Sequence, residues 1–182
     1  MKKILLSLMI LSSLTLFLAA GDSGQEKQIK LPAQGEDWVE GPGPEWELNY
    51  DEALERAEKE HKYIYVLSTG SDWCGWCIKL RNDVLTNSKF KRFAEENLVL
   101  LYLDSPSKIK LPAKQDKHNS LVREMYDMDD GFPSAVVLDE DGDIVARRSG
   151  YGNLDSYMAF LKKAVKTSAE DYEAELKKRK KR

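Results

Sequence analysis

The 182-residue chain holds only two cysteines and two histidines. Two cysteines cannot make the disulfide framework that staples small secreted domains. None is needed: with 42% hydrophobic and 32% charged residues, a chain of this length can bury a core of its own. Positive charge is not in excess either. The 28 Lys and Arg stand against 31 Asp and Glu, a balance that does not suit a nucleic-acid partner. The one strongly basic run, Lys177 to Arg182, reads as a solvated chain end. There is no internal repeat. Metal ligands are scarce as well, because His61 and His118 stand far apart and in no paired motif.

The start of the chain has its own composition. Lys2 and Lys3 precede an apolar run from Ile4 to Ala20, then Ala19, Ala20 and Gly21 lead into polar sequence. Charged, apolar, small and polar in that order is the pattern of a secretory signal, predicted over residues 1–21. Cleavage is expected after Ala20 or Gly21, with no stable membrane insertion afterwards. The alternative is an uncleaved anchor, for which about 17 apolar residues is short. No Cys follows the run to carry a lipid. The product would be periplasmic or secreted, where a thiol pair can form and keep a disulfide.

Residues 22–45 are polar and contain Gly and Pro, and read as a linker or extended arm whose Trp38 is expected to pack onto the domain. The folded pattern runs over 46–166. Asn49 caps a helix through "YDEALERAEKEH", with Glu52 placed to close a capping box. "YIYVLS" is a buried strand, "CIKLRNDVL" and "SKFKRFAEEN" are helices, and "LVLLYLD" is a second strand. "SPSKIKLPAKQDKHN" reads as a surface loop before a helix at "SLVREMYDM". A hairpin follows, turning at Asp141-Gly142, then a helix with Leu154, Tyr157, Met158, Leu161 and Val165 on one face. Residues 167–182 form a charged helical tail expected to project past the domain. The order predicts an α/β fold: a mixed central sheet with helices on both faces, early strands parallel and the last two antiparallel.

Cys74 and Cys77, in "SDWCGWCIKL", therefore fall where a strand ends and a helix begins. Free backbone N–H groups and the helix dipole favour thiolate there. A free Cys has a pKa of about 8.5, and helix N-termini and C-x-x-C motifs bring it to roughly 3.5–7.5. Cys74, at the exposed end, is the expected nucleophile. Cys77, one turn in, is the expected resolving thiol. A half zinc site would need two ligands beyond the cysteines, with only His61 and His118 available; both histidines read as surface residues. An inert staple would close a loop too small to constrain much of the unfolded chain. Pro133 opens the third strand after Phe132, which on its own reads as a strand-entry proline.

"WCGWC" after a strand, "GFPSAVVLDEDGDIV" about 55 residues later and "SGY" before the last helix together resemble the thioredoxin superfamily. Trp46, "EALERA" and "TGSDWCGWC" resemble its exported bacterial disulfide reductases and isomerases. The resemblance covers about Trp46 to Lys166. It implies a thioredoxin fold and a thiol–disulfide oxidoreductase with no metal or organic cofactor. It also implies that Pro133 is a cis-proline beside the cysteines, and that Phe132 and Pro133 hold a substrate strand. Trp73 would lie over the site, with Gly75 and Trp76 as its other neighbours. Partners would be disulfide-containing extracytoplasmic proteins and a membrane thiol reductant that relays electrons from cytosolic thioredoxin. An oxidase, or a binding module whose cysteines matter little, are the alternatives.

Three features depart from thioredoxin. The dipeptide is Gly-Trp rather than Gly-Pro, which leaves the redox poise open. No buried acid precedes the motif, where Leu67 and Ser68 flank the aligned position; a water held by Ser68 is one substitute. The Ser105–Asn119 insert is longer than in thioredoxin. Asp72 is expected to cap the catalytic helix.

Overall fold

A computed structural model describes residues 30–180. The predicted signal segment lies outside them. The elements are β1 (Trp46–Glu47), α1 (Tyr50–Glu60), β2 (Tyr63–Thr69), α2 (Gly75–Leu80), α3 (Ser88–Asn97), β3 (Leu98–Asp104), α4 (Ala113–Met125), β4 (Ser134–Leu138), β5 (Ile144–Ser149), α5 (Leu154–Ala164) and α6 (Ala169–Lys180). A π-helical turn, Arg81–Leu85, continues α2.

The sheet has five strands in the order β1-β3-β2-β4-β5. β3 runs parallel to β1 and β2, and β4 is antiparallel to both β2 and β5. This is the thioredoxin fold, with β1 as a short edge strand that the sequence pattern did not indicate. β2 and β3 are buried along nearly their whole length, because helices cover both faces. Side chains alternate between the faces. Tyr65 and Leu67 face Leu80, Val84, Phe90 and Leu161, the side of α2, α3 and α5. Ile64 and Val66 face Ala53, Ala57, Val122 and Tyr126, the side of α1 and α4.

Local chemistry sets the element ends. Asn49 Oδ1 accepts the N–H of Asp51 at 2.9 Å and of Glu52 at 3.3 Å, opening α1. His61, left-handed at φ 52°, closes it. In the β4–β5 turn, Asp139 Oδ1 accepts from Asp141 and Asp143, and Gly142 takes φ 87°.

Three expectations need correction. His118 is not a surface residue but fully buried. The stretch "AKQDKHN" is the first half of α4, with Gln115, His118 and Asn119 on its buried face, and their polarity disguised it as loop. His118 Nε2 accepts the Tyr50 N–H at 3.1 Å, which leaves Nδ1 to donate to Asn119 at 3.3 Å. Burial holds its pKa below the ordinary histidine value. Trp38 of the arm packs onto the domain as expected, buried against the His118 ring. Gln115 exchanges two 2.8 Å hydrogen bonds with the Val39 backbone, copying a strand pairing with one side chain. Finally, α6 does not project: it lies along β5, and Tyr172 and Leu176 share a groove with Val145 and Phe160.

Candidate active site

β2 ends at Thr69, and the chain turns through Ser71 and Asp72 into α2. Cys74 and Cys77 are joined in a disulfide with Cα atoms 5.2 Å apart. Cys74 is the N-cap of α2, and its sulfur accepts the Cys77 N–H at 3.2 Å. A sulfur in that position lies among unpaired N–H groups at the positive end of a helix. Cys74 is 7% exposed and Cys77 4%, so in the oxidised pair the front sulfur is better covered than expected. Gly75 and Trp76 take up the exposed surface in front of it.

Asp72 does not cap α2. Its carboxylate accepts the N–H groups of Ser107, Lys108 and Ile109, at 2.8, 2.6 and 3.1 Å. Those bonds, Ser107 foremost, hold its pKa below the usual carboxylate value. The cap role went to a cysteine, and Asp72 ties the 105–110 loop to the site instead.

Trp73 is 49% exposed and Trp76 60%. Trp73 donates its indole N–H to the Ser105 carbonyl at 2.7 Å and sets its edge on Phe132, centroids 5.6 Å apart. The Arg123 guanidinium lies over the other aromatic partner, 5.7 Å from the Phe132 centroid, and bonds the Ser105 hydroxyl. Trp76 stacks on Tyr151 at 5.6 Å. Tyr151 is fixed by its bond to Asp83 at 2.7 Å and by Lys79 above its ring. The Phe132–Pro133 peptide is cis, and the Pro133 carbonyl accepts the Gly150 N–H at 2.8 Å. Ser134 pairs with Ser68, so β4 begins beside the end of β2 that leads to the cysteines. The sheet thus gathers Trp73, Cys74, Gly75, Trp76, Cys77, Phe132 and Pro133 at one end.

Sequence reasoning missed Gly70, Tyr151 and Ser105. An ideal Cβ on Gly70 would stand 2.5 Å from the Trp73 ring, so only glycine lets the indole fold back there. The signal was present as the glycine of "STGSDWC". Ser105 acts through its carbonyl, which no residue pattern reveals.

The histidines lie apart from the pair: His61 bonds Glu140 at 2.9 Å beyond α1, and His118 is engaged in α4. Among the described residues, no group of three or more His, Cys, Asp or Glu gathers as metal ligands. Ser68 cannot hold a water for Cys77. It follows Ile64 and Val66 onto the α1/α4 face, whereas Leu67 and Thr69 line the space beside Cys77.

A disulfide-forming pair at a helix start, on this sheet, defines a thiol–disulfide oxidoreductase. Residues 50–165 match the family model described as a thioredoxin-like domain. The chain is 39% identical over 124 residues to the disulfide bond reductase DsbH of Chlamydia pneumoniae, covering 67% of this chain and 73% of that one. A solved DsbH oxidoreductase superposes with a TM-score of 0.61 at 36% identity, over 73% of this chain and 95% of that chain. A putative disulphide-isomerase from Bacteroides thetaiotaomicron gives 0.51 at 21% identity over 75% and 99%, a likeness of fold alone. The chain belongs to the thioredoxin-like family.

Proposed function

We propose that the protein is an exported disulfide reductase acting on disulfide-containing extracytoplasmic proteins. Cys74 is its nucleophile and Cys77 its resolving thiol. The observation that carries this reading is the Cys74 sulfur at the N-cap of α2, where an attacking thiolate is favoured. The Cys74 thiolate attacks a substrate disulfide, and one substrate sulfur leaves with the electron pair and takes a proton. Cys77 then attacks the Cys74 sulfur of the mixed disulfide. The second substrate sulfur leaves, and the enzyme ends as the Cys74–Cys77 disulfide. Two electrons and two protons have passed to the substrate. A membrane thiol reductant restores the dithiol.

The reducing direction rests on the 39% identity to a protein named as a disulfide bond reductase. Export rests on the charged, apolar, small order of residues 1–21. Among the described residues no helix is long and apolar enough to cross a membrane. Phe132 and Pro133 would hold the substrate in extended form, with Trp73 and Trp76 as apolar walls.

Two measurements test the reading. A Cys77→Ser variant should accumulate DTT-sensitive adducts with exported proteins through Cys74; an accessible Cys74 that traps nothing would sink the enzyme role. The reduction potential of the pair should lie near about −250 mV or below, and a value near about −120 mV would reverse the direction to oxidase.

A further inference from the structure

Resolution requires Cys77 to lose its proton, and Cys77 is buried. Burial raises a thiol pKa, so a buried thiol attacks slowly unless its proton has a way out. The buried acid that precedes the motif in thioredoxin has no counterpart on β2 here: Ser68 lies on the opposite face of the sheet.

A different set of groups stands behind Cys77. A small cavity lies there, lined by Thr69, Ser71, Cys77, Arg81 and Tyr102 and otherwise by apolar side chains, Leu67 among them. It has room for about one water molecule, with several polar groups to bind it. Tyr102 and Asp104 are two residues apart on β3 and so share a face. Asp104 is buried, and its carboxylate accepts both the Ser71 N–H at 2.9 Å and the Ser71 hydroxyl at 2.5 Å. Its backbone is pinned by Asn119, which donates to the Asp104 carbonyl at 3.0 Å. Ser71 and the Tyr102 side chain line the same cavity. Carboxylate, hydroxyl and phenol thus lead from Asp104 to the cavity on Cys77.

We propose that Tyr102, Ser71 and Asp104 carry away the proton of the Cys77 thiol during resolution. The inference rests on Cys77 being the resolving thiol. Cys77 gives its proton to the cavity water, which passes one to the Tyr102 oxygen. Tyr102 passes its own proton to Ser71, and Ser71 passes one to the Asp104 carboxylate. The Cys77 sulfur bonds to the Cys74 sulfur, and the Cys74–substrate bond breaks. The substrate sulfur leaves with the electron pair and is protonated from solvent, to which Asp104 returns its proton. No further oxidant or reductant is involved. Tyr102 and Asp104 act through the water, so they are positioning residues.

Two other features fit. Burial, and then the Asp104 charge, hold the Tyr102 phenol protonated far above neutrality, so it passes protons on without ionising. Arg81 from the π-helical turn is the cation of the cavity and favours thiolate on Cys77. The charged and titratable groups facing Cys77 here are therefore Arg81, Tyr102 and, behind Ser71, Asp104.

The test uses the full chain in reduced form and 5,5′-dithiobis(2-nitrobenzoate), followed by stopped flow between pH 5.5 and 9. The first equivalent of nitrothiobenzoate reports attack by Cys74, and the second reports resolution by Cys77. In Tyr102→Phe and Asp104→Asn the first phase should be unchanged. The second should slow by at least about tenfold near pH 6.5 and recover toward pH 9, as hydroxide deprotonates Cys77 directly. Both substitutions keep the packing: phenylalanine keeps the ring against Trp46, and asparagine still accepts the Ser71 N–H. A second phase with the unsubstituted rate and pH profile in both variants, or equal slowing of both phases, overturns the relay. If the unsubstituted protein releases a single equivalent, Cys77 does not resolve at all, and the proposed function fails along with the relay.

Discussion

Replacing Gly70 with alanine puts a Cβ 2.5 Å from Trp73 Cε2 and 2.7 Å from its Cζ2 and Nε1, where no Cβ can stay. The backbone at the end of β2 is held by its neighbours, since Ser105 donates to the Thr69 carbonyl at 2.8 Å and Cys74 to the Gly70 carbonyl at 3.0 Å. The indole must therefore move. Moving it breaks the hydrogen bond to the Ser105 carbonyl, worth about 1 kcal/mol. It also breaks the edge contact with Phe132, worth about another 1 kcal/mol. Half of the indole is already in water, so little burial is lost beyond these. The expected cost is about 2 kcal/mol, or a fall of roughly 4–8 °C in melting temperature for a domain of this size. Reduction of protein disulfides should fall too, because Trp73 and Phe132 wall the site together. Thermal unfolding of Gly70→Ala, Trp73→Ala and the double variant makes the test sharp. Once the indole is gone the three atoms nearest the new Cβ are gone with it, so Gly70→Ala should cost less than about 0.5 kcal/mol in the Trp73→Ala background. Equal costs in the two backgrounds would refute the steric argument.

The buried His118 predicts an acid-sensitive fold. Its folded pKa lies below the unfolded value of about 6.5, so the unfolded chain binds the extra proton. Its contribution to stability is complete above about pH 6.5 and is lost as pH falls toward the folded pKa, by up to about 1.4 kcal/mol per pH unit. Asp51, the one charge acting on it, favours the proton and narrows that window. Denaturant midpoints of His118→Gln should show a flatter slope between pH 5 and 6.5, with the glutamine still accepting the Tyr50 N–H; an unchanged slope would contradict the assignment. Trp76 is exposed and stacked on Tyr151, so Trp76→Ala should cost under about 1 kcal/mol in stability. Its kcat/KM on protein disulfides should fall while that on a small aryl disulfide holds, and equal losses on both would deny it a role in substrate contact.

The fold was legible where one cause decides the pattern. β2 and β3 open on apolar runs, over 63–67 and 98–103, the composition of strands covered on both faces. Cys74 and Cys77 were legible because few other chemistries fit two cysteines at that spacing with no further ligands. The misread parts share a different cause. "AKQDKHN" looks like loop because its buried residues are polar, and each is matched to a partner distant in sequence: Gln115 with Val39, His118 with Tyr50, Asn119 with the Asp104 carbonyl. Asp72 was assigned to the nearest helix by local rules, yet its partners are 35 to 37 residues away. β1 is two residues long and owes its existence to β3, since it has no hydrophobic alternation of its own.

The same division runs through the site. Its front is written in residue types that stand out in any sequence, two tryptophans and a Phe-Pro pair beside the cysteines. Its back is made of ordinary residues, Tyr102, Ser71 and Asp104, which acquire chemistry only from position. β3 is parallel to β2 and in register with it, Leu67 against Tyr102 and Thr69 against Asp104. That register carries Tyr102 and Asp104 onto the face where α2 buries Cys77, and it carries Ser68 to the other side with Leu103. A shift of one residue would exchange the two sets. The group nearest in sequence to the expected acid is therefore in the wrong layer, and the groups that can serve Cys77 come from the neighbouring strand. The strand register, more than the residue preceding the motif, decides which groups stand behind Cys77.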